Sequence, residues 1–212
     1  MSNSWLEPDW GIQVLEQSPI NIGFGEAKVY LLIESALMPN WKQSIYQHVN
    51  QHGEEAPFFA SLFTDTAYQH IEQGPVLVDV THYPSLQVSW LEQFETLPIG
   101  CVLLTDNTVE VATLLDTLRH RLTVLKNDTS TFFRYYEPRM LLPLMGALST
   151  EEKQVFLPQV HSIYWYHQQW LQAKWSSLQS SKAPLSSWNV TSQHIENMTT
   201  IMTAIQSQSE SA

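Results

Sequence analysis

Phe132-Phe133-Arg134-Tyr135-Tyr136-Glu137-Pro138-Arg139-Met140-Leu141-Leu142 is the stretch on which the fold is read. It opens as a strand, because aromatic side chains suit a pleated, half-buried surface. Pro138 then ends the strand: its ring fixes φ, suits the first turn of a helix and pushes Glu137 toward extended backbone. Met140, Leu141, Leu142, Leu144 and Met145 form the apolar side of the helix that follows. Arg134 and Arg139 flank this corner in a chain with only ten Lys and Arg in all. Two arginines and a carboxylate at a strand-to-helix corner admit two uses, an anion-holding active site or a structural ion-pair node. A strand running through Glu137 would put Arg134 and Glu137 on opposite faces, so contact between them requires a bend.

Outward from the corner, strand patterns alternate with helix patterns. KVYLLI (28–33), VLVDV (76–80) and IGCVLL (99–104) are short apolar runs of strand type. Asn40 is placed to cap a helix carrying Trp41, Ile45 and Val49 on one face, and Asp65 a short one carrying Tyr68 and Ile71. Leu86, Trp90, Leu91 and Phe94 suit an amphipathic helix, and Asn107 with Glu110 has the spacing of a capping box ahead of Val111–Leu122. Thr150-Glu151-Glu152 starts another short helix, VHSIYWY (160–166) reads as the last strand, and Ile195, Met198, Met202 and Ile205 mark a final helix. This alternation predicts βαβ units. The expected fold is α/β, a mostly parallel or mixed central sheet of about five strands flanked by helices, with the corner as the fourth strand. A lead-in segment (1–27, with Trp5, Leu6 and Trp10) precedes the domain at 28–166. A C-terminal helical extension (167–212) follows, with Pro184 in a loop and a disordered polar tail after Ile205.

Composition excludes several classes. The chain has 212 residues, 43% hydrophobic and 15% charged, with a formal net charge of −11. Phosphate-backbone binding needs clustered Lys and Arg, so nucleic acid is not an expected partner. The densest basic group, Arg119, Arg121 and Lys126, reads as the solvated face of a helix. Cys101 is the sole cysteine, so no intramolecular disulfide forms and a reducing cytoplasm is the expected compartment. The first 20 residues lack a signal-peptide pattern, and no apolar run approaches the ~20 residues needed to span a bilayer. Without secretion, the Asn-x-Thr sequons at Asn127, Asn189 and Asn197 read as chance.

No G-x-S-x-G elbow, P-loop, G-x-G-x-x-G after a strand or H-E-x-x-H occurs. His48 and His52 lie four apart on a helix, but no third ligand accompanies them, so no metal is expected. Cys101 sits inside an apolar strand, where a thiol is inert. Asp79 and Asp106 fall at strand ends without partners that would make them catalytic; Asp79 could pair with an arginine. No catalytic residue and no cofactor are assigned. Arg134, Glu137 and Arg139 therefore read as an ion-pair lock, with a small α/β enzyme or ligand-binding domain holding an anion on Arg134 and Arg139 as the alternative. Tyr164, Trp165, Tyr166, Trp170, Trp175 and Trp188 are candidates for partner binding, since Trp and Tyr are favoured at hot spots.

The corner resembles the hallmark of a bacterial family of type VI secretion effector adaptors, also called effector chaperones and first catalogued as a domain of unknown function. Its Arg-aromatic-aromatic-Asp-Pro-Arg run is matched by Arg134, Tyr135, Tyr136, Pro138 and Arg139, with Glu137 in place of Asp. VYLLIESA (29–36) is similar to the family's opening strand, Glu34 again replacing Asp. SLF (61–63), GPVLVDV (74–80), LLDTLRHRLTVL (114–125) and FLPQVHSIYW (156–165) follow in the family's order. The resemblance implies a non-enzymatic cytoplasmic protein that binds a cognate toxic effector and loads it onto a VgrG-type spike, without membrane insertion. It marks Glu34, Arg134, Tyr136, Glu137, Pro138 and Arg139 as hallmark positions.

Overall fold

The structure, a computed structural model, describes residues 10–177 and 187–209. In chain order the elements are β1 (Ile12–Val14), α1 (Pro19–Ile22), β2 (Lys28–Glu34), α2 (Trp41–His52), β3 (Phe59–Ser61), β4 (Pro75–Asp79), α3 (Pro84–Thr96), β5 (Gly100–Thr105) and α4 (Val111–Arg121). Then come β6 (Thr123–Lys126), β7 (Thr129–Phe132), α5 (Pro138–Ala147), α6 (Thr150–Phe156), β8 (Val160–His167), β9 (Gln169–Lys174), β10 (Trp188–Asn189) and α7 (Ser192–Ser209). Trp5, Leu6, Pro184 and the last residues of the expected tail lie outside the described residues.

The α/β class holds, but the sheet expected to be mostly parallel or mixed, of about five strands, is instead a seven-stranded antiparallel sheet. Its order is β1-β9-β8-β5-β2-β4-β3, and every neighbouring pair runs antiparallel. The reason lies in where the crossovers land. β4 and β5 both run antiparallel to β2 and so share one direction, with α3 crossing between them as in a βαβ unit. The chain has already laid β2 between them, so each neighbouring pair is antiparallel. Continuous apolar runs do not reveal this, because they report burial on both faces rather than strand direction. Along β2, Tyr30 and Leu32 enter one core with α4, α5 and α6. Val29, Leu31 and Ile33 enter the other, with Trp41 and Ile45 of α2 and Leu86, Trp90, Leu91 and Phe94 of α3.

The expected fourth strand is also corrected. Its strand ends at Phe132 as β7 and belongs to a second, three-stranded sheet of order β10-β6-β7. Asn127 and Asp128, both at positive φ (48° and 60°), turn β6 into β7. β8 is not the last strand: Gln168, at φ 62°, turns the chain into β9, so residues expected in a helical extension form sheet instead. The final helix forms as α7 and continues through Ser209, past Ile205 where disorder was expected.

None of the three expected caps makes a side-chain capping bond, although Asn40 does hold the N-cap position of α2. Residues 62–70 make turns rather than a helix, with Asp65 at φ 60° and Thr66 Oγ1 donating to the Phe63 carbonyl (2.8 Å). Helix α4 starts at Val111 without a side-chain cap, because residues 106–109 form a turn, with the Val109 amide donating to the Asp106 carbonyl (3.1 Å) and the Val109 carbonyl accepting from Lys28 Nζ (2.8 Å). The capping box forms one residue ahead of Thr150, between Ser149 and Glu152.

Candidate functional site: the arginine corner and its clefts

The corner bends where Pro138 demands it. Glu137 is the N-cap of α5 in extended backbone (φ −72°, ψ 133°), with Pro138 in the first turn. The Glu137 amide donates to the Arg134 carbonyl (3.2 Å), closing a turn that brings residues 134 and 137 to the same side. Arg134 Nη2 then reaches Glu137 Oε1 and Glu34 Oε2, each at 2.8 Å. Glu34 arrives at the end of β2 on the pleat face of Tyr30 and Leu32. Its side chain is 5% exposed, against 47% for Arg134. Tyr136 donates its hydroxyl to the same Glu34 oxygen (3.2 Å), and the Ala36 amide donates to the other (3.3 Å). Burial, reinforced by the Glu34 carboxylate, pushes the Tyr136 phenol above its ordinary range, so it stays protonated and able to donate. The arginine is held charged: its desolvation is outweighed by hydrogen bonding to Tyr136 and Glu34 and by the Glu137 charge.

Arg139 lies outside this lock. It is exposed and joins no ion pair among the described residues. With Pro138, Tyr166 and His167 it borders a cleft of about 220 Å³. Burial first, and the Arg139 charge second, hold His167 below the usual imidazole range. Glu95, Tyr166 and Gln168 also border a larger groove of about 850 Å³, to which Glu16 and Trp170 contribute. The fold thus brings Arg139 to a cleft adjoining the one lined by Tyr166 and Trp170, which lie 27 and 31 residues further along the chain.

Most of the six candidate partner-binding aromatics are packed inside. Trp165 and Trp175 belong to one core, and Tyr164 and Trp170 to the other, all buried. Trp170 Nε1 donates to Glu95 Oε1 (2.7 Å) and its ring meets Phe94 and Tyr166. Tyr166 and Trp188 are half-buried, Trp188 stacking on His194. Asp79, considered as an arginine partner, instead accepts from the Thr81 hydroxyl (2.6 Å) and amide (3.0 Å) in a tight turn. Asp106 accepts from Ser177, and His48 stacks on His52 with Glu54 at 3.5 Å. Burial pushes the Cys101 thiol far up, leaving a small hydrophobe.

The group expected on a solvated helix face divides. Lys126 is exposed, but Arg121 is 2% exposed. Its Nε donates to the Phe156 carbonyl (2.6 Å) and Nη2 to that of Val155 (3.0 Å), at the C-terminal end of α6, where a helix favours a cation. The guanidinium also lies over Phe156 and Trp188. A signal was available: Arg121 is three residues after Leu118 and seven after Leu114, on their buried stripe.

Residues 29–154, more than half of the chain, match the model of the family described as Domain of unknown function (DUF4123). None of the curated proteins matches. Nor does any solved structure.

Proposed function

The chain belongs to the DUF4123 family, and on that premise we propose that it is a non-enzymatic adaptor. It binds a cognate type VI secretion effector in the bacterial cytoplasm and loads it onto a VgrG-type spike. The observation that favours this over chemistry is the state of Arg134. The guanidinium that an anion-binding site would use is committed to two carboxylates of its own fold. An arginine so paired stabilises structure; it has little capacity left for a substrate. No helix among the described residues is long and apolar enough to cross a membrane.

The test is co-purification of the tagged chain from its native host, with mass-spectrometric identification of what stays bound through a high-salt wash. Enrichment of a toxin and a spike protein over a tag-only control is expected. Their absence from every eluate would overturn the adaptor reading.

Exposed Arg139 keeps a second reading in play, a small domain that holds an anionic ligand in the cleft beside Tyr166 and His167. A thermal-shift screen against phosphates and carboxylates separates the two. Stabilisation by one small anion, lost in Arg139→Ala, would favour the ligand-binding reading.

A further inference from the structure

β3 is a terminal strand of the large sheet, and its outer side has backbone groups that the fold leaves open. The Asp79 amide donates to the Phe58 carbonyl (2.9 Å) and the Leu62 amide to the Pro75 carbonyl (2.9 Å). Residues 58, 60 and 62 therefore face β4, and the amides and carbonyls of Phe59 and Ser61 face away from it. Among the described residues the Ser61 carbonyl alone of these four groups has a partner, Arg119 Nη2 at 3.2 Å. Such a row of open donors and acceptors is a template for another strand.

A cleft of about 520 Å³ runs beside this edge, walled by Trp41, Lys42, Gln73 and Arg119. Trp41 meets Phe59 edge-on at 5.1 Å, and Lys42, which is exposed, lies over the Trp41 ring. Arg119 is 18% exposed; Asp65, at 3.9 Å, is its distant and solvent-facing counter-charge. Glu72 is the one carboxylate among the lining residues, so the cleft has two cations to one anion in a chain of net charge −11. Phe58 and Ile71, just outside it in sequence, are exposed apolar side chains. The other edges differ. The groove beside β1 is lined by Glu16 and Glu95, and β7 presents Thr, Ser and Phe with no charge.

We propose that the partner is held here: an extended segment bearing an Asp or Glu pairs with the outer edge of β3, its carboxylate between Lys42 and Arg119. The main-chain bonds supply affinity and the cations select the sequence, the division of labour in strand addition. The proposal rests on the adaptor reading and gives it a surface. It also gives the arginine corner a positioning role. Glu34 is followed by Ser35, whose amide donates to the Gly74 carbonyl (3.2 Å) and whose hydroxyl accepts from the Gly74 amide (3.1 Å). Ser35 and Gly74 both line the cleft, so the lock on Glu34 fixes its base.

The test uses the full chain and, as probe, the toxin identified by the co-purification above. Lys42→Glu alters an exposed side chain. Ser61→Pro removes an amide that points away from β4, and Ser61→Ala controls for the hydroxyl that accepts from the Phe63 amide (3.1 Å). Wild-type chain is expected to bind the toxin, with amide exchange at Phe59 and Ser61 slowed in the complex. Lys42→Glu should weaken the Kd about tenfold or more at wild-type melting temperature, and Ser61→Pro should lose the binding that Ser61→Ala keeps. Wild-type binding that Lys42→Glu and Ser61→Pro retain, with exchange at Phe59 and Ser61 unchanged, overturns this surface and leaves the adaptor reading standing. No binding by wild type overturns the adaptor reading and the surface with it. Self-association of the free chain that Ser61→Pro abolishes would assign the edge to a second copy and also overturn the proposal.

Discussion

Arg134→Ala tests whether the corner is a lock. The substitution leaves the Glu34 carboxylate, 5% exposed, without its cation. Exposed ion pairs contribute about 0–1 kcal/mol, whereas stranding a fully buried charge costs about 3–5 kcal/mol. This pair lies between those limits. Water can enter the space left by an arginine that is 47% exposed, and the Tyr136 hydroxyl and Ala36 amide still serve the carboxylate. A loss of about 2 kcal/mol follows, which at this chain length is a fall in Tm of about 4–8 °C. Thermal melts followed by circular dichroism at pH 7 measure it. The double variant Arg134→Ala with Glu34→Gln should be less destabilised than the two single losses summed, because removing both charges strands neither. Arg134→Lys should recover part of the loss, since the single nitrogen Nη2 serves both carboxylates and an ammonium restores that charge on a shorter stem. A Tm for Arg134→Ala within about 1 °C of wild type would refute the lock.

Gly100→Ala should yield no folded protein, because an added Cβ would strike the Leu32 carbonyl across the β5–β2 ladder, where neither backbone can retreat; soluble yield and circular dichroism check this. Trp170→Ala should cost about 3–5 kcal/mol in urea unfolding, as a buried ring packed on Phe94 and bonded to Glu95 is deleted. Tyr166→Ala, half-buried beside it, should stay near wild type, and a reversed order would refute the packing described here. Lys153 is 3% exposed with Nζ donating to the Trp10 carbonyl (3.3 Å), and burial lowers its pKa. The native state therefore binds that proton less tightly than the unfolded chain, so stability should rise with pH toward the ordinary lysine value of about 10.4. Between about pH 7 and 9.5 this rise should be smaller in Lys153→Met, as measured by urea midpoints at each pH; an identical slope in both proteins would refute the assignment.

The sequence made the elements legible where one physical rule dominated. KVYLLI could only be a buried strand, and the Trp41–Ile45 and Leu86–Phe94 spacings could only be helix faces. Glu137 before Pro138 marked a helix start whatever surrounded it. Strand direction was not legible, because a strand covered on both faces has the same apolar run in either orientation. The second sheet had a local signal in Asn127-Asp128, a pair that tolerates positive φ and so turns a hairpin, between Thr123–Lys126 and Thr129–Phe132. The aromatic run after it drew the strand too far toward the corner. The Asn107–Glu110 spacing fits a capping box, but the Val109 carbonyl goes to Lys28, and tertiary contact overrides local preference there. The Glu34–Arg134 bond joins positions 100 residues apart, and no periodicity reports such a pairing.

The same argument explains why the two arginines of one short motif have different fates. Arg134 lies on the turn before the helix, within reach of a strand end that buries a carboxylate, and electrostatics there leave it no freedom. Arg139 lies in the first turn of α5, exposed, in the cleft beside Tyr166. Equal charge and near-equal sequence position thus give a structural cation and an available one, and what separates them is the half-turn imposed by Pro138. A cation reports a functional site only when its own fold has not already neutralised it. By that criterion contact with another molecule is to be sought at Arg139 and Lys42, which join no ion pair among the described residues, and next at Arg119, whose counter-charge Asp65 stands 3.9 Å away. Arg134, which most identifies the chain, holds Glu34 next to Ser35, at the base of the cleft that Lys42 and Arg119 line.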